Sequence, residues 1–263
     1  MLHRITDDIS LIKVKFHNVF TSVFLVKLDT GYALFDSATT ECDVKDTIMP
    51  AISMAGIKPI EVRFLFISHT HGDHFGGARA LLSELPDASL VLFDTERAEN
   101  DGFGDRLFSG DASEYSPLVT IPLTGHDAHG LALLDPRTRT LLSGDAVQLC
   151  GIDRWGTGVF DVEGYLDSLD RISAMDVELL VTSHEYYPLG QTAEGREAIA
   201  KYLTASREAL RELISLVDAS DSSPEETAKA ITEAKRKTEP SFPAQQTGTI
   251  KAIREYLELR VRF

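Results

Sequence analysis

Within six consecutive residues, His69-Thr70-His71-Gly72-Asp73-His74, the chain places three imidazoles and a carboxylate. They follow Val62-Arg63-Phe64-Leu65-Phe66-Ile67-Ser68, a run almost wholly apolar, as a strand covered on both faces should be. Such a cluster at a strand end restricts the fold, because other segments must bring further ligands to the same place. Alternate residues of extended chain share a side, so His69 and His71 are expected to reach one metal ion while Asp73 and His74 turn toward another. Imidazole with carboxylate suits Zn²⁺, and equally Mn²⁺ or Fe²⁺. The rival reading, a polar loop with surface histidines, is disfavoured by so dense a run at a strand end.

Further ligands stand at or just past other apolar runs: His126 after 118–123, Asp145 after 140–144, and His184 after 177–183. Strand-end residues from remote segments can converge on one cleft. Three histidines could hold one ion, and Asp73, His74 and one more histidine the second, with Asp145 able to bridge. Two ions about 3.5–4 Å apart would hold a hydroxide nucleophile, since metal binding lowers the pKa of water to about 7. No serine or cysteine nucleophile is then needed.

The remaining pattern reads as β-rich, then helical. Residues 9–14, 21–26 and 31–36 suit strands of a meander, and 46–56 has helical spacing ending at a glycine, with Pro50 tolerated near the helix start. A helix is expected after Gly76-Gly77, a strand at 90–93, and a long loop or short helices over 96–117. Strands resume at 131–135 and 140–145 around a turn at 136–139, and 164–174 is amphipathic. From residue 192 onward the spacing of Ile199, Tyr202, Leu203, Leu210, Leu213, Ile214 and Val217 is helical. Ser223-Pro224-Glu225-Glu226 is a helix start, and 247–259 forms a third helix.

With 41 acidic against 26 basic residues, the chain has a net charge of −15. It shows no basic stripe, so nucleic acid and anionic membranes are disfavoured as partners, leaving a small-molecule substrate. No basic segment with a following apolar run opens the sequence, and no apolar stretch is long enough for a bilayer. Cys42 and Cys150 exclude a disulfide framework and are too few for a thiolate metal site. A cytoplasmic location is the expectation.

On these residues the chain resembles the metallo-β-lactamase superfamily, whose His-x-His-x-Asp-His motif stands here as residues 69–74. Gly125-His126, Ser143-Gly144-Asp145 and Thr182-Ser183-His184 match its later motifs, and Asp36, closing Leu34-Phe35-Asp36, matches its early structural aspartate. The resemblance implies an α+β fold, a four-layer αββα sandwich over residues 1–191, with a C-terminal helical extension over 192–263. It implies two divalent ions, Zn²⁺ foremost, with Fe or Mn as alternatives. One would sit on His69, His71 and His126, the other on Asp73, His74 and His184, with Asp145 bridging. His126 is preferred to His129 because the family's ligand follows a glycine; His129 becomes a cleft-wall residue or a substrate contact.

Asp145 stands where the secreted β-lactamases carry cysteine, so the resemblance is closer to the glyoxalase II, lactonase and thioesterase branches. These imply attack of a metal-bridging hydroxide on an ester, thioester or lactone. Gln148 departs from the lactonases, which place tyrosine three residues after the bridging aspartate, and no basic cluster for glutathione is evident. Asp73 and Tyr186 are the candidate catalytic residues, with Tyr187 as a second phenol and packing under the C-terminal helices as the rival role. Trp155, Phe160 and Phe103 are candidates for an apolar pocket, and Asp127 and Glu185 for orienting histidines. Alternatives are a mononuclear-iron persulfide dioxygenase-like oxidoreductase and a ligand-binding regulatory member with vestigial hydrolysis. A diiron flavoprotein, with Glu for the second histidine, is disfavoured by His71, and a nuclease by charge. The C-terminal helices suit either a pocket wall or a homodimer interface.

Overall fold

The computed structural model describes residues 2–110, 112–115 and 117–261. It divides into two compact units, Met1–Pro122 with Leu131–Thr140, and Leu123–Gly130 with Leu141–Phe263.

The first unit opens with strands β1 (Leu2–Arg4), β2 (Ile9–Phe16), β3 (Val19–Leu28) and β4 (Gly31–Phe35), an antiparallel meander. Helices α1 (Glu41–Asp43) and α2 (Met49–Met54) follow, joined by a π-helical turn, Val44–Ile48. That wide turn lies directly before Pro50, whose ring lacks an N–H and crowds the preceding turn. Strands β5 (Val62–Phe66) and β6 (Ser89–Val91) then extend the sheet in parallel, giving the order β1-β2-β3-β4-β5-β6. Between them lie α3 (Gly72–Phe75) and α4 (Ala78–Glu84), and α5 (Thr95–Asn100) comes after. The expected extended course of the metal motif therefore holds only to His71, which caps the helical turn α3 with φ −66° and ψ 151°. Ile12, Val23, Leu34, Val44, Ile48, Leu65, Leu81 and Leu90 meet in the core of this unit. Strands β7 (Val119–Pro122) and β8 (Leu131–Asp135) pair antiparallel.

After β9 (Thr140–Leu142), the second unit contains α6 (Val162–Ser173), β10 (Leu179–Tyr186), β11 (Gly190–Glu194), α7 (Arg196–Asp218), α8 (Pro224–Arg236) and α9 (Thr247–Val261). The second sheet has the order β11-β10-β9-β8-β7. Helix α7 buries the expected stripe of Ile199, Tyr202, Leu203, Leu210, Leu213 and Val217. Ser223 caps α8 through a reciprocal pair with Glu226, as its sequence requires. Strand β11 falls where helix was expected from residue 192; its register Leu180↔Ala193, Val181↔Thr192 satisfies the edge of β10, and helix begins only after Gly195, at φ +83°. No helix among the described residues is long and apolar enough to cross a membrane.

Candidate metal centre

In the first unit the histidine motif is organised from beneath by Asp36. This residue is fully buried and sits at φ +67°, a left-handed conformation that aspartate tolerates better than most residues. Its carboxylate accepts from the Ser68 N–H at 2.7 Å and from the Ser68 hydroxyl at 2.9 Å. The same carboxylate lies 2.8 Å from His74 Nδ1, and Ser68 Oγ lies 2.9 Å from His69 Nδ1. The hydrogen-bond chain therefore has one consistent direction: His69 Nδ1–H to Ser68, Ser68 O–H to Asp36, and His74 Nδ1–H to Asp36. Both histidines are held in the tautomer that leaves the Nε2 lone pair for a ligand.

His69 Nε2 lies 3.0 Å from His71 Nδ1, and His74 Nε2 lies 3.4 Å from Asp73 Oδ2. Two imidazole lone pairs facing each other at such a distance repel unless a proton or a cation lies between them. The backbone is tied down as well: His74 O accepts from Ser37 N and Ser37 Oγ, at 2.8 and 2.7 Å, and Asp73 O from Thr21 Oγ1 at 3.2 Å.

In the second unit His126 follows Gly125, which has φ +106° and whose added Cβ would lie 2.3 Å from the Tyr165 backbone. Only glycine fits there, and its carbonyl accepts from Phe160 N and Asp161 N at 2.8 and 2.9 Å. His126 Nδ1 donates to Gly158 O at 2.6 Å, which again frees Nε2. Asp145 follows β9, and Ser183 N donates to Gly144 O at 3.1 Å, which sets Asp145 beside His184 on β10. Asp145 Oδ2 thus lies 3.7 Å from His126 Nε2 and 3.6 Å from His184 Nε2.

The expected donors are five imidazoles and two carboxylates, without thiolate; His69 and His74 in the first unit and His126, Asp145 and His184 in the second are buried, whereas His71 and Asp73 are not. This chemistry fits a divalent ion of the Zn²⁺, Mn²⁺ or Fe²⁺ type. Histidine and aspartate groups able to hold a metal ion are present among the described residues.

The other candidates separate. Tyr186, 1% exposed, ends β10 with its ring 5.8 Å edge-on from His184. Tyr187 donates to Glu239 Oε2 at 3.1 Å and packs on Phe242, so it is the phenol that lies under the C-terminal segment. His129 is exposed, and its N–H is taken by Asp127 Oδ1 at 2.7 Å, so Asp127 shapes this turn. Glu185 is exposed. Phe103 belongs to the core of the first unit, Phe160 is exposed with its ring 5.7 Å from His126, and Trp155 is half-buried under Arg154. Sequence reasoning passed over Gln148 as a structural partner of the ligands; a lone glutamine in the apolar run Ala146-Val147-Gln148-Leu149 was its one signal.

The family model for the metallo-β-lactamase superfamily matches residues 18–92 and 116–184. That is more than half of the chain, which therefore belongs to the metallo-β-lactamase superfamily. A beta-lactamase-like protein 2 homolog of Caenorhabditis elegans is 26% identical over 170 residues, 62% of this chain and 55% of that protein. A hydroxyacylglutathione hydrolase of Xanthomonas axonopodis pv. citri is 30% identical over 152 residues, 56% of this chain and 55% of that protein. The chain spans about half the length of the curated relatives it matches. A metallo-β-lactamase family protein from Thermus thermophilus has a similar structure, with a TM-score of 0.67 at 18% identity, covering 98% of this chain and 95% of that one. The fold is thus the expected metallo-β-lactamase fold, an α+β arrangement of two sheets flanked by helices.

Proposed function

We propose that this chain is a metal-dependent hydrolase that cleaves an ester, thioester or lactone. The observation that carries the reading is Asp145, one carboxylate oxygen of which stands 3.7 Å from His126 Nε2 and 3.6 Å from His184 Nε2, as a ligand shared by two ions would require. We assign one ion to His69, His71 and His126 and a second to Asp73, His74 and His184, with Asp145 shared. Within the units, His74 Nε2 at 3.4 Å from Asp73 Oδ2 and Asp145 Oδ2 beside both His126 and His184 support this assignment. When bound, two divalent ions, Zn²⁺ foremost, acidify water and stabilise negative charge developing on an acyl oxygen.

The protein's own groups prepare that chemistry. The Asp36–Ser68 chain and Gly158 O keep the Nδ1 protons of His69, His74 and His126 in place, so these three need no rearrangement before ligation. Asp73 is assigned to accept the proton released as the acyl carbon is attacked. Tyr186 is assigned to donate from its hydroxyl to the departing oxygen or sulfur. Aspartate rather than cysteine at position 145 favours acyl chemistry over lactam cleavage. Similarity to a hydroxyacylglutathione hydrolase favours the thioester among the three bond types. The net charge of −15 supports a small molecule over nucleic acid, and agrees with a cytoplasmic setting. Residues 1–191 would form the catalytic domain, and 192–263 an extension that shapes substrate choice or joins two copies.

Metal-defined protein should be assayed on thioesters, acyl-homoserine lactones, other lactones, a phosphodiester and a cephalosporin. Turnover of an acyl substrate, lost in Asp145→Ala, is the expected result. Turnover of the phosphodiester alone would overturn the acyl reading.

A further inference from the structure

Gln148 is 2% exposed, three residues beyond Asp145, and its carboxamide is bonded at both ends. Oε1 accepts from the Gly158 N–H at 2.6 Å, and Nε2 donates to the Asp145 carbonyl at 3.0 Å. The two bonds fix which end is oxygen, because a flipped amide would set a donor against Gly158 N–H and an acceptor against Asp145 O. In that orientation Nε2 and the His126 Nδ1–H are both donors, 2.8 Å apart, so no hydrogen bond joins them and the link to the ring runs through Gly158. The His126 Nδ1–H is held by Gly158 O, at 2.6 Å, and Gly158 N–H is in turn held by Gln148 Oε1.

Two independent features fit this arrangement. A Cβ on Gly158 would lie 2.9 Å from His126 Cε1 and Nδ1 and 3.2 Å from Gln148 Oε1, so the three groups approach too closely for any side chain at 158. The strut is also anchored beyond its own amide. The Gln148 N–H donates at 3.1 Å to the hydroxyl of Tyr165, whose pKa burial pushes up to about 12, so it stays neutral. Thr249, in the first turn of α9, accepts from Val159 N at 3.2 Å and donates to Thr157 O at 2.5 Å, gripping the residues on either side of Gly158.

We propose that Gln148 is a positioning residue of the metal centre, a strut that sets the backbone of Asp145 and the ring of His126 at fixed relative places through Gly158. The inference rests on the metal reading above and extends it from the ligands to a residue that offers an ion no ligand in that reading. A polar side chain at this buried position serves a purpose an apolar one cannot, since Gly158 N–H and Asp145 O would otherwise lose their partners.

The test is the metal affinity of wild type, Gln148→Leu and Gln148→Met, read by Zn²⁺ competition against a chromogenic chelator. The absorption spectrum of Co²⁺-loaded protein and the melting of the metal-free form complete it. Loss of a partner that orients a ligand weakens metal binding by about 10–100-fold. The expected result is that loss on one of the two ions, an altered Co²⁺ spectrum, and metal-free variants that still fold. Variants that bind both ions as tightly as a two-ion wild type would overturn the strut alone. A wild type that takes up no metal would overturn the metal reading and the strut with it. Failure of both variants to fold would also overturn it, by making Gln148 a residue of the core rather than of the site.

Discussion

Replacing Asp36 separates the two things it does: holding the fold and holding histidine protons. Asp36→Ala leaves three buried donors without their acceptor, Ser68 N–H, Ser68 O–H and His74 Nδ1–H, now bonded at 2.7, 2.9 and 2.8 Å. Such a group costs about 1–3 kcal/mol when orphaned. Alanine also tolerates φ +67° less well than aspartate, for about 1 kcal/mol more. A loss of about 4–10 kcal/mol is expected, comparable with the roughly 5–15 kcal/mol that holds a folded domain. Asp36→Asn keeps an acceptor for Ser68 N–H and accepts the left-handed backbone, so its stability loss should be about 1–2 kcal/mol. Its amide nitrogen, however, faces His74 Nδ1 with a hydrogen and drives the imidazole proton to Nε2, the atom that ligation requires. Asn should therefore weaken metal binding about 10–100-fold while sparing the fold. Denaturant unfolding of metal-free protein measures the first effect, and chelator competition the second. An Ala variant that loses under about 1 kcal/mol, or an Asn variant as unstable as Ala, would refute the hydrogen-bond chain assigned here.

Other perturbations separate the remaining roles. Asp145→Ala should abolish hydrolysis and lower metal content with the circular dichroism spectrum unchanged; full activity in that variant would remove the shared carboxylate. Gly125→Ala, whose Cβ would lie 2.3 Å from the Tyr165 backbone at φ +106°, should destabilise the protein by several kcal/mol, read from its unfolding midpoint. Cys42 is exposed, whereas burial pushes the Cys150 thiol up to about 11. Cys150 is half-buried, so an alkylating probe at neutral pH should label Cys42 well before Cys150, as peptide mass mapping over time would show. The buried Tyr165 phenol has its pKa raised from 10.0 to about 12, so the unfolded chain ionises first. Stability should fall as pH rises from about 10 toward 12, and Tyr165→Phe should flatten that fall in unfolding curves.

A candidate ligand set could be proposed from sequence because ligation is a property of residue type, and the candidates stand at or near the ends of apolar runs. What could not be read locally is what the ligands lean on. The Asp36–Ser68–His74 chain joins residues 32 and 38 positions apart, and Gln148 acts through Gly158 and His126, 10 and 22 positions away. Strand β11 was missed for a related reason: Gln191-Thr192-Ala193 carries little strand propensity, and its pairing with β10 decides its conformation.

The close approaches needed at His126 are supplied by glycines, whose spacing carries no pattern until the neighbours are known. Gly125 admits the Tyr165 backbone and Gly158 admits the imidazole. In this chain the candidate ligands stand out by residue type in residues 69–74 and at His126, Asp145 and His184, while their geometry is held by small and polar residues that a sequence reading takes for loop. Substitutions at Gly125, Gln148 and Gly158 should therefore impair metal binding although none of the three offers an ion a ligand.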